Sequence, residues 1–113
     1  MRIQQSASIK PALAEEGKQL GDIIARLRIA RGVKQTEAAL RANISRNTAY
    51  RLEKGDPAVA IGQILRYIDA IAPGITLMQL VAENDPALIA LKMKEQRQRV
   101  RSLSTEQLRE VDF

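Results

Sequence analysis

An all-α fold of small, closely packed helices is what the amino-acid sequence predicts, and three observations predict it. Apolar residues recur at helical spacing in successive stretches, the first at Leu20, Ile23, Ile24, Leu27 and Ala30. The stretches close on Gly, Asn or Pro, the residues that most readily stop a helix. Hydrophobic residues make up 45% of the 113 but aromatics only 3%, so the expected core is Ala, Leu, Ile and Val. That length fits one core plus some tail rather than two independent domains.

Residues 1–17 mix Gln, Ser, Lys and Ala without sustained periodicity, and Pro11 and Gly17 interrupt them, so a flexible N-terminal arm is expected there, with at most a turn of helix over 12–16. The first helix runs from Leu20, with Asp22, Arg26 and Arg31 on its polar side and Gly32 as a left-handed cap. A second helix covers about 35–42, with Ala38, Ala39 and Ala42 inward. Asn43 takes the turn, since Asn tolerates positive φ better than most residues, and Ile44 packs back. Ser45 is the expected N-cap of a third helix that ends at Lys54-Gly55. This helix places Ala49 and Leu52 inward and Arg46, Asn47, Tyr50 and Arg51 outward.

After Gly55-Asp56-Pro57, the residues Ile61, Ile64, Leu65, Ile68 and Ile71 form a fourth apolar stripe, ended by Pro73-Gly74. Thr76 caps a short fifth helix carrying Leu77, Leu80 and Val81. Asp85 caps another, with Pro86 at its first position. Ser104 to Gln107 reads as a capping box opening a last short helix to Val111.

Composition narrows the function classes. With no Cys and no His, disulfides, thiolate or imidazole metal ligands, and catalysis by either side chain are all removed. Acids such as Glu15-Glu16 and Asp22 have no accompanying base, nucleophile or glycine-rich phosphate loop, so no enzyme, cofactor or metal is expected. Met1 to Lys10 carries no signal-peptide pattern and no stretch reaches the roughly 18 apolar residues of a membrane span, which makes a cytoplasmic location the expectation. The formal net charge is +5, concentrated in Arg41, Arg46, Arg51 and Lys54 and again in Lys92, Lys94, Arg97, Arg99 and Arg101. A basic balance favours polyanion partners, because each neutralised phosphate releases counterions.

Two short helices joined by a tight turn, the second exposing polar side chains at its N-terminal end, are what reading a major groove requires. The stretch from Leu20 to Ile71 resembles the phage-repressor (Cro/Xre-type) helix-turn-helix family. The resemblance is carried by Leu27-Arg28, Arg31-Gly32-Val33-Lys34-Gln35, Glu37-Ala38-Ala39, Asn43-Ile44-Ser45-Arg46 and Tyr50-Arg51-Leu52-Glu53-Lys54-Gly55. It implies a five-helix repressor-like domain over 18–82, followed by a basic C-terminal helical extension over 83–113, with double-stranded DNA as partner. It also implies that Arg46, Asn47 and Arg51 meet base edges, Arg forking onto guanine and Asn onto adenine. Tyr50, on the same outward face, either stacks against sugar or bases or shields the junction with the second helix. Gln35 falls at a phosphate-contacting position, and Lys34, Arg41, Ser45, Thr48 and Lys54 read as further backbone contacts. Arg28 and Glu53 match a structural ion pair between the first and third helices.

Three departures stand out. Lys34 replaces the usual Ser or Thr cap, Asn43 replaces a turn Gly, and Ala38 and Ala42 stand where larger Leu residues are common.

Beyond Gly55 the chain resembles an antitoxin subgroup of this family, on Gly55-Asp56-Pro57-Ala58-Val59, Ile64-Leu65-Arg66, Asp85-Pro86-Ala87-Leu88 and Arg97-Gln98-Arg99-Val100-Arg101. That resemblance implies a protein that represses its own operon and neutralises a partner toxin. A basic tail with embedded Val100, Leu103, Leu108 and Val111 either folds onto such a partner or completes the core. One recognition helix covers few base pairs, so a homodimer on half-sites about 34 Å apart is expected, with Ile75, Leu77, Leu80 and Val81 as its seam.

Overall fold

The computed structural model describes residues 8–82 and 86–111, with side chains through Arg101. Among the described residues, the helices in order are α1 Pro11–Ala30, α2 Gln35–Ala42, α3 Arg46–Glu53, α4 Ile61–Ile71, α5 Leu77–Val81 and α6 Pro86–Val111. Among the described residues there is no strand. Helices α1 to α5 form the expected five-helix domain and α6 the helical extension.

Several local signals act as their chemistry requires. Gly32 takes φ +68° after α1, and Val33 N–H reaches back to Arg28 O at 3.1 Å, closing the helix in a Schellman turn. Asn43 adopts φ 57°, and Ile44 N–H bonds Ala39 O at 3.0 Å, so the α2–α3 turn is made without glycine. The Ser45 hydroxyl accepts from Thr48 N–H at 3.0 Å, and Thr76 accepts from Gln79 N–H at 3.1 Å. The Gln79 side chain returns the favour to Thr76 N–H at 2.9 Å, completing a capping box. Pro86 occupies the first position of α6, while the expected cap Asp85 lies outside the described residues.

The core gathers Ile24 and Leu27 from α1, Ala38, Ala39 and Ala42 from α2, Ala49 and Leu52 from α3, and Tyr67, Ile68 and Ile71 from α4. Leu80 of α5 and Leu88 of α6 close it. Helix α1 is the common support, touching α3, α4, α5 and α6. The three alanines let α2 approach α4 closely, and the large Tyr67 and Ile68 supply the volume that those alanines leave.

Four expectations are corrected. The first helix begins at Pro11, not Leu20, and passes through Gly17 without interruption. The reason is tertiary: a Cβ on Gly21 would lie 2.6 Å from Gly55 N and 2.7 Å from Glu53 O, and one on Gly17 would lie 3.1 Å from Gly55 O. The glycines are therefore a docking seam for the end of α3, and burial against it outweighs their low helix propensity.

The α4 stripe is rotated from the expected one. Ile64, Tyr67, Ile68 and Ile71 turn inward, whereas Ile61 is 67% and Leu65 46% exposed. Leu80, expected at an intersubunit seam, is wholly buried within its own subunit. Finally, no separate helix starts at Ser104: α6 runs unbroken to Val111, because nothing after Pro86 is Gly or Pro and the stretch is rich in Lys, Glu, Gln and Arg.

At the junction of α1, α3 and α4 a polar cluster is enclosed. Arg28 Nε donates to Glu53 Oε2 at 2.7 Å and its Nη2 to Oε1 at 3.1 Å, a two-pronged pair whose side chains are only 17% and 7% exposed. Arg28 Nη1 also donates to Val33 O at 3.0 Å, and the Tyr67 hydroxyl donates to Glu53 Oε2. Glu53 holds the Arg28 guanidinium above its ordinary pKa. Burial, and then the bond to Glu53, push the Tyr67 phenol above its ordinary value.

The Tyr67 shift has a definite sign. An unfolded tyrosine ionises near pH ~10 and the folded one at higher pH, so this contribution to stability is complete below about pH 10 and is lost as pH rises beyond it. In Tyr67→Phe the extra alkaline loss is expected to disappear, which urea midpoints measured at about pH 8 and about pH 11 will show as a shallower fall than in the parent.

Candidate nucleic-acid interface

The candidate interface centres on α3, two turns of helix standing on a small apolar foot. Ala49 and Leu52 are 0% and 3% exposed, which fixes the opposite face outward. Arg46, Asn47 and Tyr50 all lie exposed on that outward face. Asn47 and Arg51 are four residues apart and so share one edge of it, as Arg46 and Tyr50 share another.

Around α3 the expected backbone-contacting residues are placed as follows. Ser45 is the N-cap, and its hydroxyl also donates to Thr48 Oγ1 at 2.8 Å. Both side chains thus sit at the helix N-terminus, where free N–H groups and the helix dipole favour an anion. Lys34 precedes α2 in extended conformation and makes no side-chain cap bond, leaving its ammonium exposed beside the free N–H groups of that helix. Gln35, the first residue of α2, is half-buried. Lys54 places Nζ 5.4 Å from the centre of the Tyr50 ring, an exposed cation–π contact that gathers the two at the end of α3.

Two of the basic residues are engaged. Arg41 pairs with Glu37 one turn earlier on α2, an exposed i,i+4 bridge that a phosphate can replace at little cost. Arg51 Nε donates to Asp56 Oδ2 at 2.7 Å. That carboxylate was not singled out by the sequence; a carboxylate five residues after an outward Arg, just past a helix-ending glycine, is the signal that marks it. Gly21 was missed similarly. Its spacing from Gly17 puts both on one face of α1 with Leu20 and Ile24, which is legible only once a glycine inside a helix is read as a place of close approach.

The rear of α3 is set by backbone-to-backbone contact. Gly55 takes φ +75°, and Asp56 N–H bonds Arg51 O at 3.0 Å, ending α3 in a Schellman turn pressed against Gly17 and Gly21 of α1. The front is set by the Ser45 cap, and the flank by Glu53, held from α1 and α4. A short helix of this length would not persist alone in water, so its placement comes from these three attachments.

Residues 19–74 match the family model of the helix-turn-helix domain, of the Cro/Xre-like type. The domain is that of DNA-binding regulators, and such domains are typically not enzymes. No curated protein and no solved structure matches the chain. Among the described residues, no helix is long and apolar enough to cross a membrane.

Proposed function

We propose that this protein is a sequence-specific transcriptional repressor acting in the cytoplasm, a homodimer that binds an inverted-repeat operator in double-stranded DNA through residues 18–82. Arg46, Asn47, Tyr50 and Arg51 meet the bases, and Lys34, Gln35, Arg41, Ser45, Thr48 and Lys54 meet the phosphates. The observation that carries this reading is the exposure of Arg46 and Asn47 at the leading end of a helix whose other face is anchored in the core. Their own subunit covers neither. Pairing of subunits is supported by α5, where Met78 and Val81 stand 78% and 55% exposed beside the half-buried Ile75 and Leu77.

Selection of bound sequences from random duplex DNA, followed by a salt titration on the winner, tests the reading. An enriched inverted repeat is expected. Arg46→Ala is expected to cost about 1–3 kcal/mol and to relax preference at one base pair per half-site. Gln35→Ala and Lys54→Ala are expected to weaken all sequences alike, the latter lowering the salt slope by about one. A steep salt dependence with no enriched motif, or uniform loss from both kinds of variant, overturns it.

A second reading, an antitoxin that also binds its operator, is favoured by the extension at 83–113. Helix α6 is seated on α1 by Leu88 and by the Arg26–Glu95 pair, while Ile89, Met93 and Val100 remain 45%, 55% and 62% exposed among Lys94, Arg97 and Arg99. Apolar spots in a basic helix gain from burial only when another surface covers them. Rescue of growth by the chain when a neighbouring gene is expressed alone supports this reading; its absence leaves the repressor.

A further inference from the structure

Arg51 and Asp56 are joined twice. The Asp56 N–H donates to the Arg51 carbonyl at 3.0 Å, and the Arg51 Nε donates to Asp56 Oδ2 at 2.7 Å. The other carboxylate oxygen, Oδ1, accepts from Ala58 N–H at 2.9 Å, so the acid is itself fixed by the turn that follows α3. Both hydrogen bonds hold this carboxyl below the usual aspartate range, the one from Arg51 more strongly.

The pair is not buried away: its side chains are 37% and 28% exposed. Only Nε of the guanidinium is engaged among the described residues. The two Nη groups, which form the outer fork of a planar group, are left for another acceptor. A free arginine loses rotamer entropy when it is immobilised, and a side chain already held loses less on binding. Because Arg51 stands one turn behind Asn47 on the same edge of α3, a held fork there faces whatever duplex that edge meets.

Resting on the reading that α3 enters a major groove, we infer that Asp56 is a positioning residue for base recognition, holding Arg51 by Nε so that its Nη groups present a fork to O6 and N7 of a guanine. Asp56 itself touches no base. Its carboxylate repels the phosphate backbone, so it weakens binding in general while sharpening the choice of base.

That opposition in sign gives the test. The full chain and its Asp56→Asn variant are titrated with the selected operator, with operators in which each guanine of the half-site is replaced singly, and with an unrelated duplex. Asn keeps an oxygen for Ala58 N–H, and helical circular dichroism verifies that the variant folds. Discrimination at one guanine is expected to fall about tenfold, while affinity for the unrelated duplex stays equal or rises. Arg51→Ala and Arg51→Lys are expected to erase the same discrimination, and Asp56→Asn added to Arg51→Ala to change it no further. Unchanged preference at every position in Asp56→Asn, or equal loss on all duplexes, overturns the inference while leaving the repressor reading intact. Should Arg46→Ala, Asn47→Ala and Arg51→Ala all leave base preference untouched, the groove reading fails and takes this inference with it.

Discussion

Gly21→Ala is expected to destabilise the protein by about 3 kcal/mol, at the upper end of what one surplus methyl costs in a close-packed interior. The added carbon would meet Gly55 N at 2.6 Å, Glu53 O at 2.7 Å and Leu52 O at 2.9 Å. All three are backbone atoms, so no side chain can swing aside, and relief requires moving the end of α3 as a body. Gly62, in the first turn of α4, is the control, since nothing lies within 4 Å of a Cβ built there and its φ is not positive. Gly62→Ala is expected to stabilise the fold by about 0.5–1 kcal/mol. Urea unfolding followed by helical circular dichroism measures both; equal midpoints for the two variants would remove the close-approach argument. Since the same contact sets the rear of α3, any Gly21→Ala protein that does fold is expected to bind its operator more weakly than Gly62→Ala.

Glu53→Ala carries the second large effect, an expected loss of about 3–5 kcal/mol. Glu53 is 7% exposed and serves both the Arg28 fork and the Tyr67 hydroxyl, so truncating it strands a half-buried cation and a buried phenol together. The neutral double variant Arg28→Met/Glu53→Leu is expected to recover part of that loss, because the cost lies mainly in the uncompensated charge. It will not recover all of it, as Val33 O and the Tyr67 hydroxyl lose partners as well. A double variant no more stable than Glu53→Ala would show that the lost partners of Val33 O and the Tyr67 hydroxyl, not the stranded charge, dominate the junction.

What the sequence discloses about this molecule divides along a physical line. Features settled within one or two turns of chain are legible: Asn43 at the positive-φ turn, the Ser45 and Thr76 caps, Gly32 and Gly55 at helix ends, and the outward set on α3. Each is decided by a residue's own backbone preference or by a hydrogen bond a few residues away. Features settled by a distant partner are not. Gly17 reads as a breaker until Gly55 is known to lie against it. Tyr67 and Leu65 are equally plausible neighbours of Ile64 and Ile68 on a helical wheel, and the choice is made by Glu53, to which only a tyrosine can donate. The pairing of Arg28 with Glu53 came through resemblance rather than through spacing, because charge partners on different helices leave no periodic trace. The Arg51–Asp56 contact is intermediate, near in sequence yet shaped by the turn between them.

The glycine seam behind α3 also bears on the thermodynamics of encounter. A two-turn helix capped in front and wedged behind has little left to freeze when a partner arrives, so docking is expected to proceed as one rigid shape meeting another. The heat-capacity change on association should then match the apolar surface actually covered, without the surplus that accompanies a segment folding as it binds. Calorimetry across a range of temperatures reads that quantity directly, and an excess would mean that the wedge is looser in solution than its contacts imply.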